Sequence, residues 1–188
     1  MERRPVVLVE GESDAVVVRR LLAARTGADV VEVVPMAGVT NLARHLDALG
    51  GPAPDVLVLV DAPESRFATG ALRRHGVRAE SPEELGWYGV FVCDRDLEEV
   101  LIRGLGVGAV LAEVRAMGEI GAFESLAQMP QWRDRHPREQ LHRFAGSGSG
   151  RKRRLAARLA DLLDPEHPPA PLDAVVGRAL AAAGSPRG

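Results

Sequence analysis

Four short runs of apolar, mostly β-branched residues mark the first half of the chain: 6–9 between Pro5 and Glu10, 30–34 closed by Pro35, 56–60 ending at Asp61, and 88–92. Runs of this length without polar alternation predict strands buried on both faces. Between them the apolar positions recur at helical spacing. Ser13 or Asp14 can cap a helix over 15–24, and Thr40 or Asn41 can open one that ends near Leu49, before Gly50-Gly51-Pro52. Residues 67–75 read as a helix stopped by Gly76, and another helix starts over 97–103. Strands alternating with short helices need right-handed crossovers, so the expected class is α/β: a mainly parallel four-stranded sheet with helices on both faces.

Past Gly104 the strand pattern stops. Helical periodicity returns over 109–117, 152–163 and 172–182, separated by a Pro- and charge-rich stretch at 130–137, a Gly/Ser segment at 146–150 and a Pro-rich spacer at 167–171. The expected organisation is a core over 1–104 and a helical C-terminal extension over 105–188, with a flexible linker at 146–150. Gly104-Leu105-Gly106-Val107-Gly108 superficially matches a dinucleotide loop, but it follows a helix, so it reads as a helix-to-helix connection.

Composition narrows the functional classes. With 46 % hydrophobic and 27 % charged residues in 188, the chain is expected to fold around one core. Only 4 % of residues are aromatic, which disfavours readers that stack bases on aromatic platforms. Cys93 is the sole cysteine, so an intrachain disulfide and a multi-thiolate zinc site are both excluded, and a reducing cytoplasm fits. No run is long enough for a signal or membrane segment. The net charge of −2 gives no global basic field, so any contact with nucleic acid must use a local patch.

Acidic residues follow three of the apolar runs: Glu10 after the first, Asp61 after the third, and Asp94, Asp96 and Glu98 after the fourth. In a parallel sheet these ends lie side by side, where mutual repulsion calls for a cation. Hard oxygen donors in that number suit Mg²⁺ or Mn²⁺. Asp14 and Asp96 also stand at helix starts, and for them cap and ligand both remain open. Glu10 and Asp61 have no capping task at the end of a buried strand, and placing a carboxylate there costs desolvation.

Val9-Glu10-Gly11-Glu12-Ser13-Asp14 before a helix, and Leu57-Val58-Leu59-Val60-Asp61, resemble the two signature segments of Toprim domains. Asp96-Leu97-Glu98 is similar to a segment of the Toprim part of OLD (overcoming lysogenization defect) proteins. The resemblance spans about residues 5 to 104, with a weaker echo near Lys152. It implies a Rossmann-like Toprim sheet, metal ligation by Glu10, Asp14, Asp61, Asp96 and Glu98, and charge stabilisation by Lys152. The chain departs from the Toprim pattern in one place. Where Asp-x-Asp is usual it has Asp61-Ala62-Pro63, with Glu64 next. Either Glu64 reaches in, or the fourth-strand acids supply the missing oxygen, or one metal position is lost.

Lys152 is the only lysine among 24 Lys and Arg residues. A solvated basic turn would carry arginine there, as this chain does elsewhere, so a lone ammonium points to a compact point charge with a task of its own. Arg19, Arg20, Arg151, Arg153 and Arg154 are candidates for gripping a phosphate backbone. The five histidines show no metal-ligand spacing and read as surface residues.

The expected function is hydrolysis of phosphodiester bonds by a metal-dependent endonuclease with Glu10, Asp61, Glu98 and Lys152 as catalytic residues, acting on DNA ahead of RNA. The alternative, motivated by Pro63, is a noncatalytic Toprim module that binds nucleic acid or a partner protein. Topoisomerase chemistry is disfavoured because Tyr88, the only tyrosine, falls in an expected strand. OLD-type proteins join Toprim to an ATPase, and no Gly-x-x-x-x-Gly-Lys segment occurs here, which leaves room for an ATPase in trans.

Overall fold

The computed structural model describes residues 4–26, 29–148 and 150–184. Strands β1 (Val6–Val9), β2 (Glu32–Pro35), β3 (Val56–Asp61) and β4 (Val90–Cys93) form one all-parallel sheet in the order β2-β1-β3-β4. Ten α-helices surround it among the described residues: α1 (Glu12–Thr26), α2 (Leu42–Leu49), α3 (Ser65–Arg74), α4 (Pro82–Trp87), α5 (Leu97–Leu105), α6 (Val107–Ala116), α7 (Ile120–Ala127), α8 (Pro137–Ala145), α9 (Arg151–Ala160) and α10 (Leu172–Gly184).

Strand alternation sorts these helices into two layers. Val7, Val9, Leu57, Leu59 and Cys93 point to one face and share a core with α1 and α5 to α10. Val6, Leu8, Val56, Val58, Val60 and Val90 point to the other and pack on α2, α3 and α4. With both faces covered, the strands have no solvent side, hence their unbroken apolar runs. The helices after residue 105 share the first of these cores, and α9 lies along α1.

The chain runs from β1 outward to β2 and then back to β3 on β1's other side, which leaves a crevice where the carboxyl ends of β1 and β3 meet. Register brings those ends level. Val9 is beside Leu59, and Asp61 is beside Cys93. Backbone bonds tie the loops beyond: the Gly38 N–H donates to the Glu10 carbonyl at 3.0 Å, and the Ala62 N–H to the Arg95 carbonyl at 3.2 Å. Arg95 takes a φ of 70°, a left-handed conformation that a non-glycine residue holds only when its surroundings fix it.

β4 begins two residues later than the apolar run predicts. Trp87 and Tyr88 close α4 instead, which Ser81 caps by accepting from the Glu84 N–H at 3.1 Å, with Pro82 in the first turn. Helices α7 and α8 occupy positions where the hydrophobic pattern singles out none. Of the expected linker at 146–150, Ser149 lies outside the described residues, and Arg151 already begins α9.

Gly89 opens β4 at φ 81°, and a Cβ there would stand 2.9 Å from the Val56 carbonyl oxygen. Gly89→Ala should therefore lower stability by about 2 kcal/mol, combining left-handed strain with a backbone clash. Urea unfolding of the two proteins at matched pH measures it.

Candidate active site

Side-chain parity decides which acids meet. Asp61 continues the Leu57, Leu59 series and so faces α1, α5 and α9. There it interacts with Asp14, Asp96, Glu98 and Lys152. Glu10 continues the Val6, Leu8 series, toward the layer of α2 and α3, and its nearest acidic neighbour is Glu64, in the 3-10 turn Ala62–Glu64 that leads into α3. Asp61 and Asp14 also act on Glu10, so both groups belong to one crevice.

The hydrogen bonds separate occupied oxygens from free ones. Asp14 stands in the first turn of α1, where its Oδ2 accepts from the Gly11 N–H at 2.8 Å, the reciprocal half of a capping box. Asp96 caps α5, with Oδ1 accepting from the Glu99 N–H at 2.9 Å and Oδ2 lying 2.6 Å from His142 Nε2. Both Asp96 oxygens thus have protein partners. Glu98 is 8 % exposed; its Oε2 lies 3.2 Å from Lys152 Nζ, and its Oε1 is buried with no partner. Glu10 Oε2 and Glu64 Oε2 are buried with no donor facing them, and the two carboxyls stand close enough to share a hydrogen bond when one of them holds a proton. Such atoms are costly unless a cation or a proton meets them. Asp94 turns outward and pairs with Arg103 at 2.6 Å.

Charge follows the same pattern. Burial, then the neighbouring Glu64 carboxyl, pushes Glu10 up to about 8. Burial and the fields of Asp14, Asp96 and Glu98 push Asp61 up to about 7. Asp14 and Glu98 are also raised, chiefly by burial, against the opposing pull of Lys152. Asp96 moves the other way: burial acts to raise it, but the His142 hydrogen bond and the Glu99 N–H outweigh that and hold it low. Among the described residues no group of three or more His, Cys, Asp or Glu side chains stands ready-made to hold a metal ion. The acids line the crevice singly and in pairs, and the three orphaned Glu oxygens, hard donors all, are the atoms that suit a divalent cation.

A pH dependence follows. Between pH of about 4.5 and about 8, folded Glu10 keeps a proton that the unfolded chain has released, so stability falls as pH rises through this window. Asp61 adds to the fall up to about 7. Both carboxyls keep part of their surface in water, so the expected loss is about 2 kcal/mol, or about 4–8 °C in Tm for a chain of this size. Melts in EDTA at pH 5 and pH 8 check this, and Glu10→Gln should flatten the slope.

Lys152, in the first turn of α9, completes the crevice; beside its stem Leu101, Leu155 and Ala156 line a small apolar pocket. The arginines divide. Arg19, Arg20, Arg153 and Arg154 line a shallow groove between α1 and α9. Arg20 pairs with Asp161, Arg154 with Glu119, and Arg19 donates to the Val33 carbonyl, whereas no partner holds the exposed Arg153 among the described residues. Arg151 points inward, where Glu119, the Ser147 carbonyl and the Phe144 ring 3.9 Å away engage its guanidinium. It clamps the start of α9 and does not line the groove that Arg19, Arg20, Arg153 and Arg154 share.

The surface assignment of the histidines fails for two of them. His142 on α8 is 18 % exposed and bonded to Asp96, and His75 is 22 % exposed beside Asp47. No sequence spacing announces the His142 contact, because 46 residues separate it from Asp96.

Solved structures share this fold. The C-terminal region of the Burkholderia pseudomallei OLD protein superposes with a TM-score of 0.69 over 98 % of this chain and 100 % of that one, at 20 % identity. The C-terminal region of the Xanthomonas campestris pv. campestris OLD protein gives 0.66 over 96 % and 93 %, at 21 % identity. No protein-family model matches the chain, and no curated protein does. Among the described residues no helix is long and apolar enough to cross a membrane.

Proposed function

We propose that this chain is a Toprim-type, divalent-metal-dependent nuclease that hydrolyses phosphodiester bonds, in DNA ahead of RNA. One observation carries the reading. Carboxylates from the ends of β1 and β3 and from the start of α5 meet in one crevice with orphaned, buried oxygens and a single ammonium beside them. Glu10, Asp61 and Glu98 would hold Mg²⁺ or Mn²⁺, joined by Asp14 and Asp96 where these exchange a present partner. When bound, the cation would supply Lewis-acid polarisation of the phosphate and make a water more acidic.

The chain's own groups do the rest. Lys152 Nζ, next to Glu98, is placed to meet negative charge that develops on a phosphate oxygen. His142 keeps Asp96 anionic, and the Glu99 N–H fixes its orientation. The arginine groove between α1 and α9 offers a path for a phosphate backbone, with Arg153 the charge in it that has no partner among the described residues. The OLD proteins of known structure contribute their C-terminal regions to the comparison, so a partner that works with this chain in trans, such as an ATPase, belongs to the same proposal.

Incubation of supercoiled plasmid and of a structured RNA with Mn²⁺, Mg²⁺ or EDTA is the test. Nicking that depends on the metal supports the nuclease. Pro63 at the second Asp-x-Asp position favours the rival, a noncatalytic Toprim module: Mn²⁺ binding without cleavage of either substrate would establish it, and absence of both would overturn the metal-site reading.

A further inference from the structure

We infer that the loop 130–136 and the exposed side of α8 form a second basic wall beside the crevice, where Arg135 and Arg143 hold the phosphate backbone of DNA. This rests on the nuclease reading above and gives its substrate a second contact surface.

The Pro- and charge-rich stretch between Pro130 and Pro137 supplies none of the acids of the crevice, yet its backbone is firmly held. The Trp132 carbonyl accepts from the Arg135 N–H at 2.9 Å and from Gln140 Nε2 at 2.8 Å, and Gln140 is itself buried. The His136 side chain caps α8 by accepting from the Arg138 N–H at 3.2 Å, with Pro137 in the first turn. The loop is thereby fixed to the helix that follows it.

Helix α8 in turn is fastened to the rim of the crevice. Arg138 reaches Glu99 at 3.0 Å, Glu139 takes Arg95 at 3.0 Å, and His142 Nε2 lies 2.6 Å from Asp96 Oδ2, so positions 138, 139 and 142 face the turn from β4 into α5. Arg143 follows Glu139 by one helical turn and stands next to His142, on the exposed border of that same face. Farther on, Arg151 donates to the Phe144 carbonyl at 3.3 Å, which ties the end of α8 to the start of α9, where Lys152 stands.

Charge decides what this wall can do. Its acids already have cations: Asp134 has Arg133, Glu139 has Arg95, and Glu99 has Arg138. Arg135 and Arg143 are both exposed, and among the described residues neither has a partner. In the α1–α9 groove Arg20 and Arg154 are paired, which leaves Arg153. A polyanion that crosses the crevice meets free arginines on both sides if it touches both walls, and Arg153 alone if it touches only the first. Phosphates repeated along a nucleic-acid backbone are the anions that such separated guanidiniums fit, and each contact releases counterions and so adds to the salt dependence of binding.

Fluorescence anisotropy with a labelled duplex DNA in EDTA tests this without cleavage intervening. The proteins are wild type, Arg135→Ser/Arg143→Ser, Arg153→Ser and the control Arg73→Ser, an exposed arginine at the end of α3 remote from the crevice. Each phosphate contact contributes about 0.9 to the slope of log affinity against log salt, so the double variant should bind more weakly and flatten that slope by about 2. Arg73→Ser should bind as wild type does. Melts serve as the fold control, and the double variant should melt like wild type because neither arginine has a partner to lose. Wild-type affinity and slope in the double variant, with binding weakened in Arg153→Ser, would overturn the second wall and leave the nuclease reading standing. An equal loss in Arg73→Ser would mark general charge instead of a surface, and would overturn it too. If wild type fails to bind the duplex, the second wall falls, and the plasmid assay with Mn²⁺ decides the nuclease reading separately.

Discussion

Glu10→Gln and Asp61→Asn should each cut Mn²⁺-dependent plasmid cleavage by about a thousandfold or more while leaving the metal-free protein at least as stable as wild type at pH 8. The two halves have one cause. Each carboxylate is held at a strand end where burial and acidic neighbours oppose its charge, up to about 8 for Glu10 and about 7 for Asp61. A neutral amide of the same shape removes that opposition, so the fold gains. The same amide is a poor ligand for a hard cation, and a group that acts as part of a catalytic unit loses most of the unit's effect when it is removed alone. Single-turnover nicking at saturating Mn²⁺, with melts in EDTA, separates the two effects. Wild-type rates in both variants would place the chemistry elsewhere.

The combination matters because few other sites give it. A carboxylate that serves only the fold, such as Asp47 beside His75 and Arg74, stabilises through its partners, so its amide variant should melt lower or unchanged. A higher melting temperature together with lost activity marks a group placed against its own stability interest, as functional sites tend to be.

How much of this was legible in the sequence depends on the distance over which each cause acts. β1 and β3 were readable because both faces are covered, which leaves continuous apolar runs with an acid at the end of each. β4 starts later than its apolar run because Trp87 and Tyr88 have strand propensity, while the local Ser81-Pro82-Glu83-Glu84 helix start puts them at the end of α4. The caps at Asp14 and Asp96 were visible as alternatives, and the structure gives both residues hydrogen bonds at helix starts. What no local pattern could supply is parity between layers. That Glu10 looks toward Glu64 and Asp61 toward Asp14 and Glu98 follows only once the strand order and both helix layers are known. His142 and the inward turn of Arg151 are further cases: each depends on how α8 and α9 pack, which residue type does not encode.

Lys152→Arg should be nearly as damaging to cleavage as Lys152→Ala, with a loss of about a hundredfold or more in single-turnover rate and little change in substrate affinity for either. Lys152 Nζ lies 3.2 Å from Glu98 Oε2, and Glu98 is nine-tenths buried, so the ammonium works at the edge of the crevice, where a single point charge fits. A guanidinium is planar and bulkier, and it fixes its donors in a fork; in this position it would compete for both Glu98 oxygens and leave less charge aimed at a phosphate. Substrate affinity is expected to hold because Arg153, Arg154, Arg19 and Arg20 remain in the adjoining groove. Removing one preorganised charge aimed at the transition state costs about a hundred- to a thousandfold in rate. The Ala variant carries a second signature. Glu98 then loses its counterion while staying buried, so Lys152→Ala should melt lower than Lys152→Arg in EDTA at pH 8. Rates and melts measured on the same three proteins settle the assignment: Lys152→Arg cleaving at the wild-type rate would make Lys152 one more member of the basic groove, with its position beside Glu98 a matter of fold stability alone.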